Sequence, residues 1–213
     1  MKKIFRVLIC MLVILSFFSI LDTVLAGNEE DPEIVDETDD LFGTFIRNPK
    51  IFNFFKSLKI FEIDNFDFMD IKSAWFYEDS DQQENLCCAI ELKNLEFINQ
   101  RTIYAMHWKF NQKSYAVGVH VYKNGEIQGF FAGQTIGRWG KYYYINGSFN
   151  LDTNIVRFET PKSLIGNPEP GDILTKTDAW TGLRFIFEPA TIPLGGEVAK
   201  DWAGYGKDYT IKY

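Results

Sequence analysis

From Phe68 onward, apolar and polar side chains of this 213-residue chain alternate with a period of two. Successive side chains of a β-strand point to opposite faces, so this alternation predicts strands that each bury one face. The predicted strands are 68–78, 86–93, 103–110, 115–122, 126–132, 141–150, 154–159, 183–188 and 208–213. Short strands at this spacing, without long helices between them, predict a mainly β fold, an antiparallel β-sandwich with jelly-roll or immunoglobulin-like layers.

One segment ahead of the strands has a helical period instead. Asn48 is a suitable N-cap, and Pro49 suits the first helical position. The apolar side chains that follow at helical spacing are Ile51, Phe54, Phe55 and Leu58. This pattern predicts a short N-terminal amphipathic helix over 48–60 that packs on the core, so that 48–213 form a single domain. A helix that lies on a membrane surface is the less favoured alternative.

The N-terminal residues 1–26 have the three regions of a secretory signal peptide. The charged start consists of Lys2, Lys3 and Arg6. An apolar run over 7–21 follows, and small or tolerated residues precede Gly27, where we predict cleavage. The protein is therefore expected to be secreted. The alternative is an uncleaved segment that anchors the protein to the outer face of the membrane through residues 7–25, which would be its only membrane contact.

Acidic residues dominate the charge of the chain. Lys and Arg number 22 against 29 Asp and Glu, which gives a net charge of −7. Nucleic-acid binding needs a basic surface that displaces counterions, so the charge argues against nucleic acid as a partner. Residues 28–40 hold eight acids and no base, and we predict that 27–47 form an acidic, flexible leader.

The two histidines of the chain are predicted to share one face of a hairpin. If Phe110 pairs with Tyr115, His107 and His120 become diagonal neighbours roughly 7–8 Å apart. The opposite face is the predicted core and carries Tyr104, Met106, Trp108, Phe110, Tyr115, Val117, Val119 and Val121. The histidine face carries the small residues Ala105, Ala116, Gly118 and Gly129, which leave room for a shallow groove.

We therefore take His107, His120 and Tyr122 as candidate ligand-binding residues. A metal site is less favoured, because it usually needs three or four ligands and only two histidines are available here. The plainest alternative is a sheet face covered by solvent or by a loop.

Trp139 is a further candidate ligand-binding residue. It lies between Gly137 and Gly140, next to Arg138. An aromatic ring on such a loop can stack on the apolar C–H face of a sugar. Aromatic residues make up 16% of the chain, however, and burial in the core is the favoured alternative.

Asp79, Asp81 and Glu84 in the predicted turn 79–85 are candidate calcium ligands. An extracellular domain can be stabilised by calcium, which takes six to eight oxygen ligands. The spacing lacks the Gly and terminal Glu of an EF-hand loop, and an ordinary polar turn is favoured. No other cofactor is predicted.

Asn146-Gly147-Ser148 is the only N-glycosylation sequon. Its modification depends on export through a glycosylating route. Asn-Gly is equally typical of a tight turn.

Catalytic signatures are missing from the sequence, which has no G-x-S-x-G, HExxH or P-loop motif. Cys87 and Cys88 are the only cysteines beyond the signal peptide. Neighbouring strand residues point to opposite faces, so a disulfide between them would need a strained local bend. We predict that Cys88 is a small buried residue and that Cys87 faces away from it. We predict that the protein is not an enzyme.

The run TPKSLIGNPEPGDILTKTDAW at 160–180 resembles a segment of secreted prokaryotic β-sandwich domains found beside exported subtilisin-like peptidases, in the DOMON and family-9 carbohydrate-binding-module group. Other similar segments are DIKSAWFYED (70–79), LCCAIELKNL (86–95), YAMHWKFNQKSYAV (104–117) and AKDWAGYGKDYTIKY (199–213). The likeness spans about residues 64–213. It implies a domain that binds sugars between aromatic side chains, binds haem, or has no ligand. The Met and His that bind haem in this group have no matching motif here.

These observations favour a secreted, non-catalytic binding module of the cell exterior, with carbohydrate as the expected ligand. The main alternative is a structural or accessory envelope protein that has no small ligand and contacts other envelope proteins. An extracellular hydrolase is a further alternative, because the separation of paired carboxylates is spatial and sequence does not give it.

Overall fold

The computed structural model describes residues 28–37, 66–98, 101–122, 125–136, 139–184 and 197–213. The predicted signal peptide, the predicted helix over 48–60 and the predicted strand residues 185–188 lie outside the described residues.

The described residues are mainly β. The strands are β1 (Ile34–Val35), β2 (Ile71–Tyr77), β3 (Asn85–Leu92), β4 (Arg101–Phe110), β5 (Lys113–Val121), β6 (Ile127–Ile136), β7 (Trp139–Asn150), β8 (Ile155–Pro161), β9 (Ile173–Arg184), β10 (Glu197–Ala203) and β11 (Tyr209–Thr210). A short 3-10 helix, Lys162–Leu164, follows β8.

These strands form one curled antiparallel sheet in the order β1-β2-β3-β8-β7-β6-β5-β4-β9-β10, and β11 pairs with β9. Strand β7 belongs to both halves of the sheet, because its residues up to Ile145 pair with β6 and those from Asn146 pair with β8. The predicted mainly β, antiparallel fold is confirmed. The division into jelly-roll or immunoglobulin-like layers stays a prediction.

The hydrophobic core lies on the inner face of the curled sheet and draws on both halves. Phe76 of β2 meets Trp108 of β4 edge to face, with ring centroids 5.5 Å apart. Phe130 of β6 packs against Phe158 of β8 at 5.8 Å. The predicted core residues of β4 and β5 are all buried: Tyr104, Met106, Trp108, Phe110, Tyr115, Val117, Val119 and Val121. The opposite faces of β4 and β5 are therefore the outer face.

The turn between β4 and β5 differs from the predicted one. Phe110 pairs with Lys113, so the predicted pairing with Tyr115 is wrong. Asn111 and Gln112 alone form the loop, with φ of 48° and 63°, as a two-residue type I′ turn requires. The register shifts by two residues, and a shift of two leaves every side chain on its predicted face.

The predicted hairpin at Asn124-Gly125 is present between β5 and β6. Val121 pairs with Ile127. The N–H of Tyr122 donates to the carbonyl of Glu126 at 2.7 Å, and Gly125 has φ of 79°.

Part of the predicted acidic leader packs on the domain. Ile34 is 1% exposed, and β1 pairs with β2. The Glu33 carboxylate accepts the N–H of Phe76 at 2.9 Å. Residues 28–37 are thus held by a strand pairing and a side-chain bond, which acidic composition alone does not suggest.

Asn146-Gly147 lies within β7 and forms no turn. A Cβ on Gly147 would lie 2.2 Å from the ring of Phe130, so glycine is required where this core ring crosses the strand. Asn146 is exposed, and its glycosylation stays a prediction.

Cys87 and Cys88 are both free. Cys88 is buried as predicted, and Cys87 is buried as well, which the sequence did not predict. Burial, together with the charge of Glu159, raises the pKa of Cys87 to about 11. Burial also holds the pKa of Cys88 well above its usual value. Neither thiol is therefore ionised at neutral pH, and neither is an activated nucleophile.

Side-chain hydrogen bonds connect the two ends of the curled sheet. They are Tyr104 Oη to the Phe68 carbonyl (3.2 Å), Thr181 Oγ1 to the Met69 carbonyl (2.6 Å), and the Ile71 N–H to Asp201 Oδ2 (2.7 Å). They link β4, β9 and β10 to the start of β2. No strand ladder joins these two ends among the described residues.

A buried ion pair holds the C-terminal residues. Glu78 Oε1 lies 2.6 Å from Lys162 Nζ, and the Glu78 side chain is wholly buried. Its Oε2 accepts the N–H of Lys212 at 2.6 Å and the hydroxyl of Tyr209 at 3.1 Å. Lys162 also donates to the carbonyl of Tyr213. Burial and the Glu78 carboxylate both raise the pKa of Tyr209.

Candidate ligand groove on the outer sheet face

A groove of about 700 Å³ lies on the outer face of β9, β4, β5, β6 and β7. We call it the outer groove. Its lining residues are Arg101, Ile103, Ala105, His107, Ala116, His120, Gln128, Gly129, Phe131, Tyr142, Tyr143, Tyr144 and Trp180. The groove faces away from the core, so the side chains that line it are not needed to fill the interior.

One line of directly paired residues crosses six strands, and four of its residues line this groove. From β10 to β7 it consists of Trp202, Trp180, Ala105, Gly118, Phe131 and Tyr144. We call it the aromatic row. Directly paired residues of antiparallel strands lie on the same face, so all six share the outer face. The two small residues lie in the middle of the row, where the ring of Phe131 covers Gly118, and the aromatic residues lie toward both ends.

Glycines let the rings of this face lie flat on the sheet. A Cβ on Gly118 would lie 2.6 Å from the ring of Phe131. One on Gly129 would lie 2.7 Å from the Tyr144 ring, and one on Gly182 would lie 2.9 Å from the Trp180 ring. Each of these rings therefore covers a glycine of its own strand or of the adjacent strand. Flat rings keep the groove shallow and direct ring faces outward.

Asp178, His107 and Trp180 form a hydrogen-bonded chain beside the row. The indole Nε1–H of Trp180 donates to His107 Nε2 at 3.1 Å. Indole nitrogen is only a donor, so Nε2 must accept and the ring proton of His107 must be on Nδ1. Nδ1 lies 3.0 Å from Asp178 Oδ1, to which it donates. The chain therefore fixes one neutral tautomer of His107 and the orientation of Trp180.

The rings of His107 and Trp180 together make a wider flat surface. Their planes are inclined at 29°, and their centroids are 5.9 Å apart. Because the hydrogen bond joins the two ring edges, the rings lie side by side rather than one over the other. The Nζ of Lys200 lies 5.0 Å from the centroid of Trp180.

A polar cluster closes one side of the outer groove. The guanidinium of Arg101 lies 4.7 Å from the ring centroid of Tyr122. Gln128 Oε1 accepts the Tyr122 hydroxyl at 2.9 Å and an Arg101 N–H at 3.4 Å. Tyr122 does not itself line the groove, but it fixes two residues that do.

A second hollow of about 380 Å³ continues the groove on its other side. We call it the polar hollow, and it shares His107 and Tyr142 with the outer groove. Its further lining residues are Trp108, Lys109, Ser114, Thr135, Lys176, Asp178 and Tyr205. A β-bulge between Thr175 and Asp178 of β9 contains Lys176, whose φ is 51°. The bulge adds one residue to β9 relative to β4.

The structure places two of the predicted ligand-binding residues at the outer groove. His107 and His120 line the outer groove on the predicted face. They are not diagonal neighbours, because His107 pairs with Ala116, four residues from His120 and roughly 13 Å along the strand. His120 instead stacks on Phe131, with centroids 5.4 Å apart. Trp139 begins β7, but its side chain lies outside the described part of the chain.

The predicted calcium residues lie in the turn between β2 and β3. Asp79 Oδ1 accepts the N–H of Asp81 at 2.9 Å, which is a local turn bond. Across the described ranges, no three His, Cys, Asp or Glu side chains group as metal ligands. Calcium binding by Asp79, Asp81 and Glu84 stays a prediction.

Sequence reasoning missed the ring that best defines the site, Trp180. The strand was predicted over 183–188, whereas β9 begins at Ile173, so Trp180 was not placed on a sheet face. Tyr142 and Tyr144 lay within a correctly predicted strand. Their alternation with Tyr143 was the signal that could have assigned them to one face.

Comparison with family models and with curated proteins found no match for this chain. Within the described ranges, no helix has the length and apolar character needed to span a bilayer.

Proposed function

We propose that this protein is a secreted, non-catalytic module that binds a carbohydrate chain along the aromatic row. The observation that carries the proposal is the row itself, which places aromatic rings on an outer face on both sides of the small residue Ala105. Sugar rings have an apolar C–H face that packs on aromatic rings and hydroxyls that need polar partners. The groove offers both.

The dimensions suit a chain rather than a single sugar. Trp202 and Tyr144 are separated by five strand spacings, roughly 24 Å. Tyr144 is 80% exposed and Trp202 is 41% exposed, although both are large aromatic residues. The exposed parts of these two rings do not contribute to the hydrophobic core. Gln128, His120 and Arg101 lie along one side of the row, where they can bond to hydroxyls.

Support for a non-catalytic role comes from the groove residue best suited to act as a base. Both ring nitrogens of His107 are already hydrogen-bonded, to Asp178 and Trp180. We assign His107 the role of holding Trp180 in position.

Secretion rests on the predicted signal peptide over 1–26. The resemblance to the DOMON and family-9 carbohydrate-binding group agrees with this proposal, and so does a sandwich arrangement of the curled sheet. Both are part of the proposal.

A glycan array followed by titration calorimetry tests this function. We expect saturable binding to an array glycan, and roughly tenfold weaker binding for Trp180→Ala and for Tyr144→Ala. Aromatic contacts contribute about 0.5–1.5 kcal/mol beyond their buried area, and 1.4 kcal/mol is a factor of ten. Tyr213→Ala is the matched control, because this exposed tyrosine lies at the C-terminus away from the groove.

No binding by folded protein would favour an envelope protein without a small ligand. Release of shortened sugars from the bound glycan would favour a hydrolase. Equal losses for Tyr213→Ala and Trp180→Ala would overturn the assignment of the groove.

A further inference from the structure

We infer that the outer groove selects an acidic glycan, one whose sugars carry carboxylate or sulfate groups. This inference rests on the proposed carbohydrate function and adds the chemical class of the ligand. It is carried by the charges around the aromatic row, which are opposite in sign to the charge of the whole protein.

The charged residues that line the two hollows are mostly basic. Arg101 lines the outer groove, and Lys109 and Lys176 line the polar hollow. Asp178 is the one carboxylate among the described lining residues. The chain as a whole has a net charge of −7, so this face is a local reversal of its electrostatic character.

The cations of this face lack carboxylate partners among the described residues. Asp178 accepts a hydrogen bond from the neutral imidazole of His107 and keeps its negative charge, so three cations face one carboxylate here. Arg101 contacts only the neutral groups of Gln128 and Tyr122. Lys109 and Lys176 are exposed, and no carboxylate of the described residues pairs with them. Unpaired cations around a recognition surface attract anionic ligands and raise their association rate.

These cations flank the aromatic row on both sides. Arg101 and Lys109 are each four residues from Ala105 along β4, roughly 13 Å in opposite directions. Long side chains at these positions can reach acidic substituents on either edge of a chain that follows the row. An acidic glycan has such substituents along its length, whereas a neutral glycan leaves these cations unpaired.

Lys200 brings a positive charge to the stacking surface itself. Its Nζ lies 5.0 Å from the centroid of the Trp180 ring. A sugar that stacks on Trp180 must displace this ammonium, which loses a cation–π contact. A carboxylate or sulfate on that sugar would supply a new partner for the displaced ammonium.

The test uses oligogalacturonide, the same oligomer after reduction of its carboxylates to alcohols, and a sulfated galactan. Calorimetry is done at low and high salt on the purified protein. We expect the acidic oligomer or the sulfated galactan to bind at least about fivefold more tightly than the reduced oligomer. The difference should shrink at high salt, because salt screens exposed charges. The two acidic arms identify which substituent is preferred.

Variants assign the effect to the named residues. Lys109→Ser/Lys176→Ser should weaken acidic binding by about three- to tenfold, since each exposed ion pair makes only a modest contribution. It should leave binding to the reduced oligomer unchanged. Lys72→Ser/Lys212→Ser removes the same net charge at residues that line neither hollow and is the matched control.

Equal affinity for the acidic and reduced oligomers would overturn the inference while leaving the proposed function intact. Loss of binding to every glycan tested, by protein that unfolds normally, would overturn both. A single-stranded oligonucleotide that binds more tightly than any glycan would also overturn the inference. So would equal effects of the two lysine pairs.

Discussion

At the scale of single residues, the position of Trp180 depends on where one proton lies. Indole nitrogen cannot accept a hydrogen bond, so the 3.1 Å contact with His107 Nε2 leaves the ring proton on Nδ1. Nδ1 then donates a hydrogen bond to Asp178. Three side chains on two strands therefore orient one stacking surface without the ligand.

This proton position gives a spectroscopic prediction. In ¹⁵N-labelled protein at pH 8, the imidazole signals of His107 should show the neutral Nδ1–H tautomer. Asp178→Ala should weaken this preference, because the acceptor of the Nδ1–H hydrogen bond is lost while the Trp180 donor to Nε2 remains. His120, which stacks on Phe131, is the internal control. An Nε2–H tautomer of His107 in the unsubstituted protein would contradict the hydrogen-bonded chain.

Residue-level prediction of the site succeeded where the face could be decided by alternation alone. His107 and His120 fell on the correct face even though their strand pairing was wrong, because a shift of two residues preserves faces. Trp180 was missed, because its strand contains the polar run Thr175 to Asp178, which lacks a clear alternation. The bulge at Lys176 breaks the period there.

At the scale of single elements, the turn between β4 and β5 contains a correctable strain. Gln112 has φ of 63°, a left-handed conformation that costs a residue with a Cβ roughly 1–2 kcal/mol. Glycine at the second loop position is the preferred residue of a type I′ turn. Asn-Gln is not a typical sequence for a type I′ turn, so the hairpin was predicted with a longer loop.

We expect Gln112→Gly to stabilise the protein by about 0.5–1 kcal/mol. Relief of the left-handed strain outweighs the added freedom of glycine in the unfolded chain. The measurement is the urea midpoint. Gly171, which has φ of 93° and no atom within 4 Å of an added Cβ, offers the reverse control, and Gly171→Ala should lower the midpoint. An unchanged or lower midpoint for Gln112→Gly would contradict the turn geometry.

Other elements were predictable to within a few residues. Seven strands, β2 to β8, lie where alternation predicted them. Strand β1 was missed because it has only two residues and follows an acidic run. Its pairing comes from tertiary contacts of Glu33 and Ile34, which local sequence does not show.

At the scale of the whole molecule, the buried pair of Glu78 and Lys162 joins distant parts of the chain. Glu78 follows β2, Lys162 follows β8, and both hold the C-terminal residues Tyr209 to Tyr213. Neither local propensity nor alternation predicts a buried pair, since it depends on segments 84 positions apart being brought together by the sheet order.

We expect Glu78→Gln to lower the free energy of unfolding by up to about 3–5 kcal/mol, because the buried Lys162 ammonium loses its carboxylate and keeps only its hydrogen bond to Tyr213. The double variant Glu78→Gln/Lys162→Met should recover part of this loss, since no charge then remains buried. Urea unfolding followed by tryptophan fluorescence measures both. A double variant as unstable as the single one would show that lost packing, and not the buried charge, sets the cost.

The two ends of the curled sheet meet through the side chains of Tyr104, Thr181 and Asp201, whereas the strands under the aromatic row are joined by continuous ladders. We expect local opening to begin near the start of β2, because side-chain hydrogen bonds and not a strand ladder join the two ends of the sheet there. The strands under the aromatic row are paired with one another by backbone hydrogen bonds. We therefore expect such opening to admit water to the interior while the aromatic row keeps its arrangement. Local opening and ligand recognition therefore depend on different parts of the sheet.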